Sequence, residues 1–312
     1  MLISSFMNLS NLIKNRAYEL GFSKVGIAKA KFYETEEYNL NQWLDNGFHG
    51  TMKWIENRKE EKSNLFKYYP NAKSVISVAI NYFSGRSADY FKDYKISNYA
   101  WGDDYHDLVK TKLFQLLDFI KKIDTSYNGI CCVDTSPISE KLWAQRAGLG
   151  WIGKHTNLIT KEFGTWVFLG EIITDFEMEY DSSFKTDLCG LCTACIEACP
   201  TNAIVEEYQL DANKCISYQT IENRNDIPLD FKDKMNNWVY GCDICQDVCP
   251  WNHRFEEITN ETAFHPRDFL VSKKINYIYN MSQEKYSALF KNSAMKRTKL
   301  KGLKRNIDFL RN

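Results

Sequence analysis

The sequence predicts an α/β (α+β) fold: an alternating strand-and-helix domain over residues 1–180, a small cysteine-rich domain over 181–255, and a short, basic, helical segment over 256–312. Three observations predict it. Strand-like and helix-like stretches alternate from about residue 8 to 173. Eight of the ten cysteines lie between positions 189 and 249. With 44% hydrophobic and 26% charged residues, a chain of 312 carries enough apolar side chains for about two cores.

The elements follow in order. Leu9, Leu12, Ile13 and Leu20 have helical spacing, and Gly21 stops that helix. KVGIA at 24–28 reads as a short strand, and SVISVAINYF at 74–83 as a buried one. Leu108, Leu113, Leu116, Leu117 and Ile120 make the stripe of an amphipathic helix between 104 and 123. Strands over 129–133 and 165–174, with a helix over 139–147 between them, complete the domain. From 181 to 251 the pattern turns to cysteines, short helical turns and Cys-Pro pairs. Apolar runs there are too few for an independent core, so bound metal is expected to supply the missing stability. No internal repeat or low-complexity tract is found.

Lysine plus arginine and aspartate plus glutamate number 40 each, so an anionic partner must be held by a local patch. MLISSFMNLSNLIKNR has no basic stretch ahead of its apolar residues and no small-residue cleavage site, and no apolar run is long enough to span a bilayer. A soluble, cytoplasmic protein with no membrane partner is expected.

Cys189, Cys192, Cys195 and Cys199-Pro200 form C-x2-C-x2-C-x3-C-P, the bacterial ferredoxin run whose fourth thiolate reaches a second 4Fe-4S cluster. Cys242, Cys245 and Cys249-Pro250 are one cysteine short, and Cys215 supplies the deficit. The exchange puts one cluster on Cys189, Cys192, Cys195 and Cys249, and another on Cys199, Cys215, Cys242 and Cys245. Paired structural zinc sites are the bland alternative. Zinc ribbons, however, show two C-x2-C pairs across a loop and not an evenly spaced triple closed by Cys-Pro. Two close clusters suit an electron relay that ends in the N-terminal domain. Cys131 and Cys132 read as small buried hydrophobes.

A second signal is VDTSPISEKLWAQRAGLGWIGKHTNL at 133–158. Asp134 follows a buried strand, where ligands gather in such sheets; by position alone it is either a helix cap, through Asp-Thr-Ser-Pro, or an acid. Gly148, Gly150 and Gly153 let backbone approach a large ligand, beside the polar Lys154, His155, Thr156 and Asn157. The spacing is not a Rossmann fingerprint.

VDTSPISEKLWAQRAGLGWIGKHTNLI, CGLCTACIEACPTNAI and YGCDICQDVCPWN together resemble the epoxyqueuosine reductase family, over about residues 10–305. The resemblance implies a nitroreductase-like, cobalamin-binding domain followed by a ferredoxin-like domain with two 4Fe-4S clusters. It implies an oxidoreductase that converts epoxyqueuosine at the tRNA wobble position to queuosine, the last step of queuosine biosynthesis. The reductant is cob(I)alamin, cob(II)alamin at rest, fed singly by the clusters. Asp134 is then the proton donor beside the cobalt, and Lys62, Ser97, Asp134, Lys154, His155, Thr156, Asn157, Leu158 and Ser217 are cofactor-binding positions. Ser97 falls where some members have cysteine, so no cobalt-bound thiol is expected. Lys62 stands where arginine is common, keeping charge without the fork geometry, and His155 where asparagine is frequent. Some relatives carry C-terminal HEAT-like repeats, which the sequence ends before. To donate near neutral pH, Asp134 needs a raised pKa, which burial against the corrin would provide.

Lys291, Lys296, Arg297, Lys299, Lys301, Lys304 and Arg305 fall within fifteen residues without an acid. Charge alone leaves a solvated helix face or a phosphate-binding one; the resemblance favours the latter, with Arg297, Lys299, Lys301 and Arg305 as tRNA contacts. Tyr99, Trp101 and Tyr105 are either core or a platform for anticodon bases. The expected partners are a tRNA anticodon stem-loop carrying epoxyqueuosine and an external low-potential electron donor, acting on a monomer. Two other readings compete. A cobalamin and iron–sulfur reductive dehalogenase-like reductase of a small molecule would usually carry a twin-arginine signal, and a plain electron-transfer ferredoxin module has no need of so long an α/β domain.

Overall fold

The computed structural model describes residues 2–91, 93–254 and 257–311. Phe255, Glu256 and Asn312, which bound the expected C-terminal segment, lie outside the described residues. Helix α1 (Leu2–Glu19) ends where Gly21 turns left-handed at φ 88, and Phe22 N–H reaches back to Ala17 O. Strands β1 (Lys24–Lys29), β2 (Ser74–Asn81), β3 (Gly129–Cys132) and β4 (Val167–Thr174) form one sheet in the order β1-β2-β4-β3. All its pairings are antiparallel, the α+β form of the predicted class.

The sheet is covered on both faces, so β2 is buried at every position and reads as an unbroken apolar run. Its alternate side chains serve two layers. Ile76, Val78 and Ile80 pack with α1 and with α2 (Tyr105–Ile123), whose Val109, Leu113, Leu116, Leu117 and Ile120 face the sheet. Val75 and Ala79 pack with Trp143 and Ala144 of α3 (Glu140–Arg146). Asp104 caps α2 by accepting His106 N–H. Cys131 and Cys132 sit in β3, and burial pushes both thiols up to about 12, as suits small apolar fillers.

A third core joins distant stretches: Phe91, Tyr94 and Trp101, then Ile216, Trp238 and Tyr240, then Leu270, Phe290 and Ile307. The C-terminal helix α4 (Lys299–Arg311) therefore packs on both the N-terminal and the cysteine-rich stretches. Trp101 is wholly buried here, so of the two readings open for it the core one holds. The glycines after α3 serve the chain's own turn: a Cβ at Gly150 would come within 2.1 Å of Ile159 O, so the close approach there is backbone to backbone. Among the described residues, no helix is long and apolar enough to cross a membrane.

Candidate active site

The eight clustered cysteines separate into two sets of four. Cys189, Cys192, Cys195 and Cys249 line a cavity of about 180 Å³ with Leu188, Trp251 and His155. Cys199, Cys215, Cys242 and Cys245 line another of about 40 Å³, walled by Ile204, Ile216 and Ile244. This is the grouping that the ferredoxin exchange rule specifies. Among the described residues no three His, Cys, Asp or Glu groups are placed to share a single ion; the thiols ring cavities instead. Burial, then the charge of the neighbouring Cys189, Cys249 and Cys192, pushes Cys195 up to about 11. Four thiolates in such a space need the positive charge that iron brings, and the donor set fits a 4Fe-4S cluster.

Beside the second set opens a cleft of about 510 Å³, well within the size of cofactor sites. Val167, Phe168 and Leu169 of β4 form one wall; Ser97, Tyr99 and Tyr105 another; Cys215, Ser217, Cys242 and Cys245 a third. His155, Thr156, Asn157 and Leu158 reach it from the turn after Gly153, and Asp134 from the loop after β3. Ser97, Asp134, His155, Thr156, Asn157, Leu158 and Ser217 thus share one cleft.

Lys62 and Lys154 do not line it. Lys154 lines the first thiol cavity, where its Nζ donates to Gly190 O at 2.7 Å and pairs with Glu207 at 2.7 Å, bracing the cysteine loop. Lys62 donates to Ile138 O at 3.1 Å beneath the Asp134 loop, facing Glu140, Asp134 and Glu171.

Ser97 Oγ donates to Asp243, whose other oxygen accepts Asn98 N–H at 2.7 Å, tying this wall to the Cys242–Cys245 turn. His155 Nδ1 accepts Asn157 N–H at 3.1 Å, which leaves its hydrogen on Nε2. That Nε2 is buried without a partner. Burial, then the charge of Lys141, takes the imidazole down to about 4, so it is a neutral donor. An unanswered N–H beside Thr156, Asn157 and Ser217 suits a cofactor rich in amide groups, as a corrinoid is.

Asp134 stands at the cleft mouth at φ 49. It does not cap the next helix: α3 opens six residues on, with Ser139 at the cap position. Its Oδ2 lies 3.0 Å from His106 Nε2, and His106 Nδ1 lies 2.6 Å from Asp104 Oδ1. Burial by itself raises this carboxyl, but the hydrogen bond and charge of His106, with Lys62 and Arg297, outweigh it and hold Asp134 below its usual range. The raised pKa expected at Asp134 is therefore not what its surroundings produce. The raised carboxyls lie behind it. Burial, then the charge of Asp134, pushes Glu140 up to about 7. Glu171 on β4, fully buried with neither oxygen hydrogen-bonded, is pushed well up by burial and then by Glu140.

The basic segment divides. Arg297 forks onto Glu222 at 2.9 and 2.8 Å. Because Glu222 lines the cleft, this places Arg297 at its mouth, within electrostatic reach of Asp134. Lys299 and Lys301 are exposed. Arg305 turns inward: its guanidinium donates to the carbonyls of Gln219 and Asn223 at 2.7 Å each, and to Asn225 O. Its role is to hold that loop.

A family model described as "Epoxyqueuosine reductase QueG, DUF1730" matches residues 63–135, and one described as "4Fe-4S double cluster binding domain" matches 188–252. The chain is 46% identical over 303 residues to the epoxyqueuosine reductase of Cellulophaga algicola, covering 97% of this chain and 98% of that one. The chain belongs to the epoxyqueuosine reductase family. The Vibrio cholerae epoxyqueuosine reductase is 40% identical, covering 97% of this chain and 82% of that one. Among solved structures, an epoxyqueuosine reductase with a tRNA-Tyr epoxyqueuosine-modified stem loop matches with TM-score 0.87 and 28% identity, covering 97% of this chain and 80% of that one. The epoxyqueuosine reductase of Streptococcus thermophilus matches with TM-score 0.85 and 30% identity, covering 97% and 81%. A catabolic reductive dehalogenase, at 19% identity, TM-score 0.50 and 38% of that chain, shares the fold alone. Epoxyqueuosine reductases are oxidoreductases that depend on cobalamin and 4Fe-4S clusters. The 46% identity over nearly the whole chain, against a shared fold alone for the dehalogenase, favours this activity over a dehalogenase, and the α/β domain ahead of the cysteines favours it over a plain ferredoxin.

Proposed function

We propose that this chain, as a cytoplasmic monomer served by an external low-potential electron donor, reduces epoxyqueuosine in a tRNA anticodon stem-loop to queuosine and releases the epoxide oxygen as water. The observation that carries this reading is a shared wall: Cys215, Cys242 and Cys245 face both their own cavity and the cleft at whose mouth Asp134 stands. When bound, the 4Fe-4S clusters supply electrons one at a time and cobalamin supplies a strongly reducing cobalt centre.

The chain's own residues do the rest. Cys189, Cys192, Cys195 and Cys249 hold the outer cluster; exposed Cys192 and fully exposed Leu191 put it within a donor's reach. Cys199, Cys215, Cys242 and Cys245 hold the inner one against the cleft. His155, Thr156, Asn157 and Ser217 offer hydrogen bonds to the corrinoid, while Tyr82, Tyr99, Tyr105 and Phe168 keep that side dry. Asp134 meets the substrate oxygen with a proton, and Arg297, Lys299 and Lys301 meet the phosphates.

The test is to incubate the purified holoprotein with reductant and epoxyqueuosine-containing tRNA, digest the tRNA, and weigh the nucleosides. The reading predicts loss of one oxygen from epoxyqueuosine. No conversion by protein carrying both clusters and cobalamin would overturn it.

A further inference from the structure

Opening an epoxide to a double bond and water takes two electrons and two protons. The electrons come from the external donor; the protons must come through this protein. Asp134 is the acid at the cleft, yet its surroundings favour the carboxylate. The hydrogens around it can be counted. His106 Nδ1 faces Asp104 Oδ1 at 2.6 Å and His106 Nε2 faces Asp134 Oδ2 at 3.0 Å. Each contact needs one hydrogen between its atoms, because two bare lone pairs repel. A neutral imidazole carries only one. The second is either on the ring, an imidazolium between two carboxylates, or on Asp134; the two descriptions differ by one shift along one hydrogen bond.

We propose that His106, clamped by Asp104, stores the proton that Asp134 delivers to the epoxide oxygen, so that Asp104, His106 and Asp134 work as one relay. The inference rests on the epoxide-reducing activity proposed above. Several features support it. Asp104 Oδ1 also accepts His106 main-chain N–H at 3.1 Å, which fixes the imidazole to the first turn of α2. The Tyr105 ring stacks on His106 at 4.0 Å and on Phe168 at 4.1 Å, which orients it. A helix N-terminus disfavours a cation, so a charged His106 there is the work of the carboxylates. Burial pulls the imidazole down, but the hydrogen bonds to Asp104 and Asp134 and their charges push it up to about 9.

The other charged groups around the relay act on its carboxylates. Arg267 favours the ionised Asp104. Lys62 from beneath and Arg297 from the mouth favour the ionised Asp134, while Glu140 and Asp134 interact across the loop. Arg267, Lys62 and Arg297 therefore keep the stored proton on His106 until the substrate oxygen claims it, while an ionised Glu140 opposes them at Asp134.

The protons balance in two transfers. As the first C–O bond breaks, Asp134 takes the Nε2 hydrogen of His106 and passes it to the freed oxygen, leaving Asp134 a carboxylate and the ring neutral, with Nδ1–H on Asp104. Asp134 is 57% exposed and His106 29%, so solvent water refills the relay. A second transfer turns the hydroxyl into the leaving water. His106 touches no substrate; it is a positioning residue that also holds the proton.

Two readouts test the relay in the holoprotein. With carbon-13-labelled histidine, one of five resonances disappears in His106→Gln and so belongs to His106. It should titrate well above 6.5 and shift downward in Asp134→Asn; titration at 6.5 would overturn the proposal. In single-turnover assays, wild type should keep a flat rate from pH 6 to near 9, whereas His106→Gln should lose about tenfold per pH unit over that range, with stem-loop affinity and cobalamin content kept. A uniform drop with an unchanged pH profile would make His106 merely structural. A wild-type protein with no epoxide reduction at all would instead defeat the functional reading, and the histidine titration separates the two failures.

Discussion

Glu140 accepts the main-chain N–H of Asp134, and this bond sets where the proton donor stands. Asp134 has φ 49, a left-handed conformation that costs a non-glycine residue about 1 kcal/mol. Something must hold it there. Glu140 is itself fixed in the first turn of α3, with Lys62 beneath it.

Glu140→Ala should therefore release the loop. Turnover should fall by at least about tenfold, with iron and cobalamin content kept and stability lowered by about 1–2 kcal/mol. Glu140→Gln keeps an acceptor and should retain most activity. Steady-state kinetics on both variants checks this; equal losses would transfer the role from the hydrogen bond to the charge.

The cysteine grouping predicts about eight irons per chain. Cys199 is the informative position, since it follows Cys195 in sequence but lines the cavity of Cys215, Cys242 and Cys245. Cys199→Ser should perturb that inner cluster and spare the outer one. Iron analysis with electron paramagnetic resonance distinguishes the two signals. Loss of the cluster held by Cys189, Cys192, Cys195 and Cys249 would refute the exchange.

The basic segment should separate into two behaviours. Lys299→Gln with Lys301→Gln should flatten the dependence of log tRNA affinity on log salt by up to about two units, at roughly 0.7 to 0.9 per phosphate contact. Folding should be unaffected. Arg305→Gln should leave that slope alone and lower the unfolding midpoint, because it strips the carbonyls of Gln219, Asn223 and Asn225 of their donor.

Much of this was legible in the sequence where several local signals agree. The apolar stripe of α2 starts at the helix that Asp104 caps, and of the apolar run 74–83 residues 74–81 form a strand buried on both faces, the run overshooting it by Tyr82 and Phe83. The cysteine sets were legible because cluster chemistry dictates their spacing. Long-range relationships were not. His106 reads as an ordinary residue of a helix start, since its partner Asp134 lies 28 residues away; the only local hint is an acid two residues before it. The role of Arg305 was equally hidden, because a charge run says nothing of carbonyls 80 or more residues earlier. Strand order, too, is set by contacts between segments far apart in sequence.

The ion cluster at the cleft should give stability a definite pH dependence. His106 is raised from 6.5 to about 9 on folding, so its contribution is fully present below 6.5 and lost as pH rises through 9. Asp104 and Asp134 are lowered, so theirs is present above about 4 and lost as pH falls further. In urea titrations the deficit of His106→Gln relative to wild type should be greatest near pH 5 to 6 and should shrink toward pH 9.5. A constant deficit would show that the imidazole is not charged by its neighbours.

The central claim is that Asp134 gives the proton with which this cleft removes oxygen from epoxyqueuosine. The most direct measurement is single-turnover conversion of epoxyqueuosine-containing tRNA by Asp134→Asn holoenzyme whose iron, cobalamin and tRNA affinity match wild type. The amide keeps the shape and cannot donate the proton, so queuosine should be undetectable at times when wild type has finished. Queuosine formed by Asp134→Asn at the wild-type rate would contradict the account.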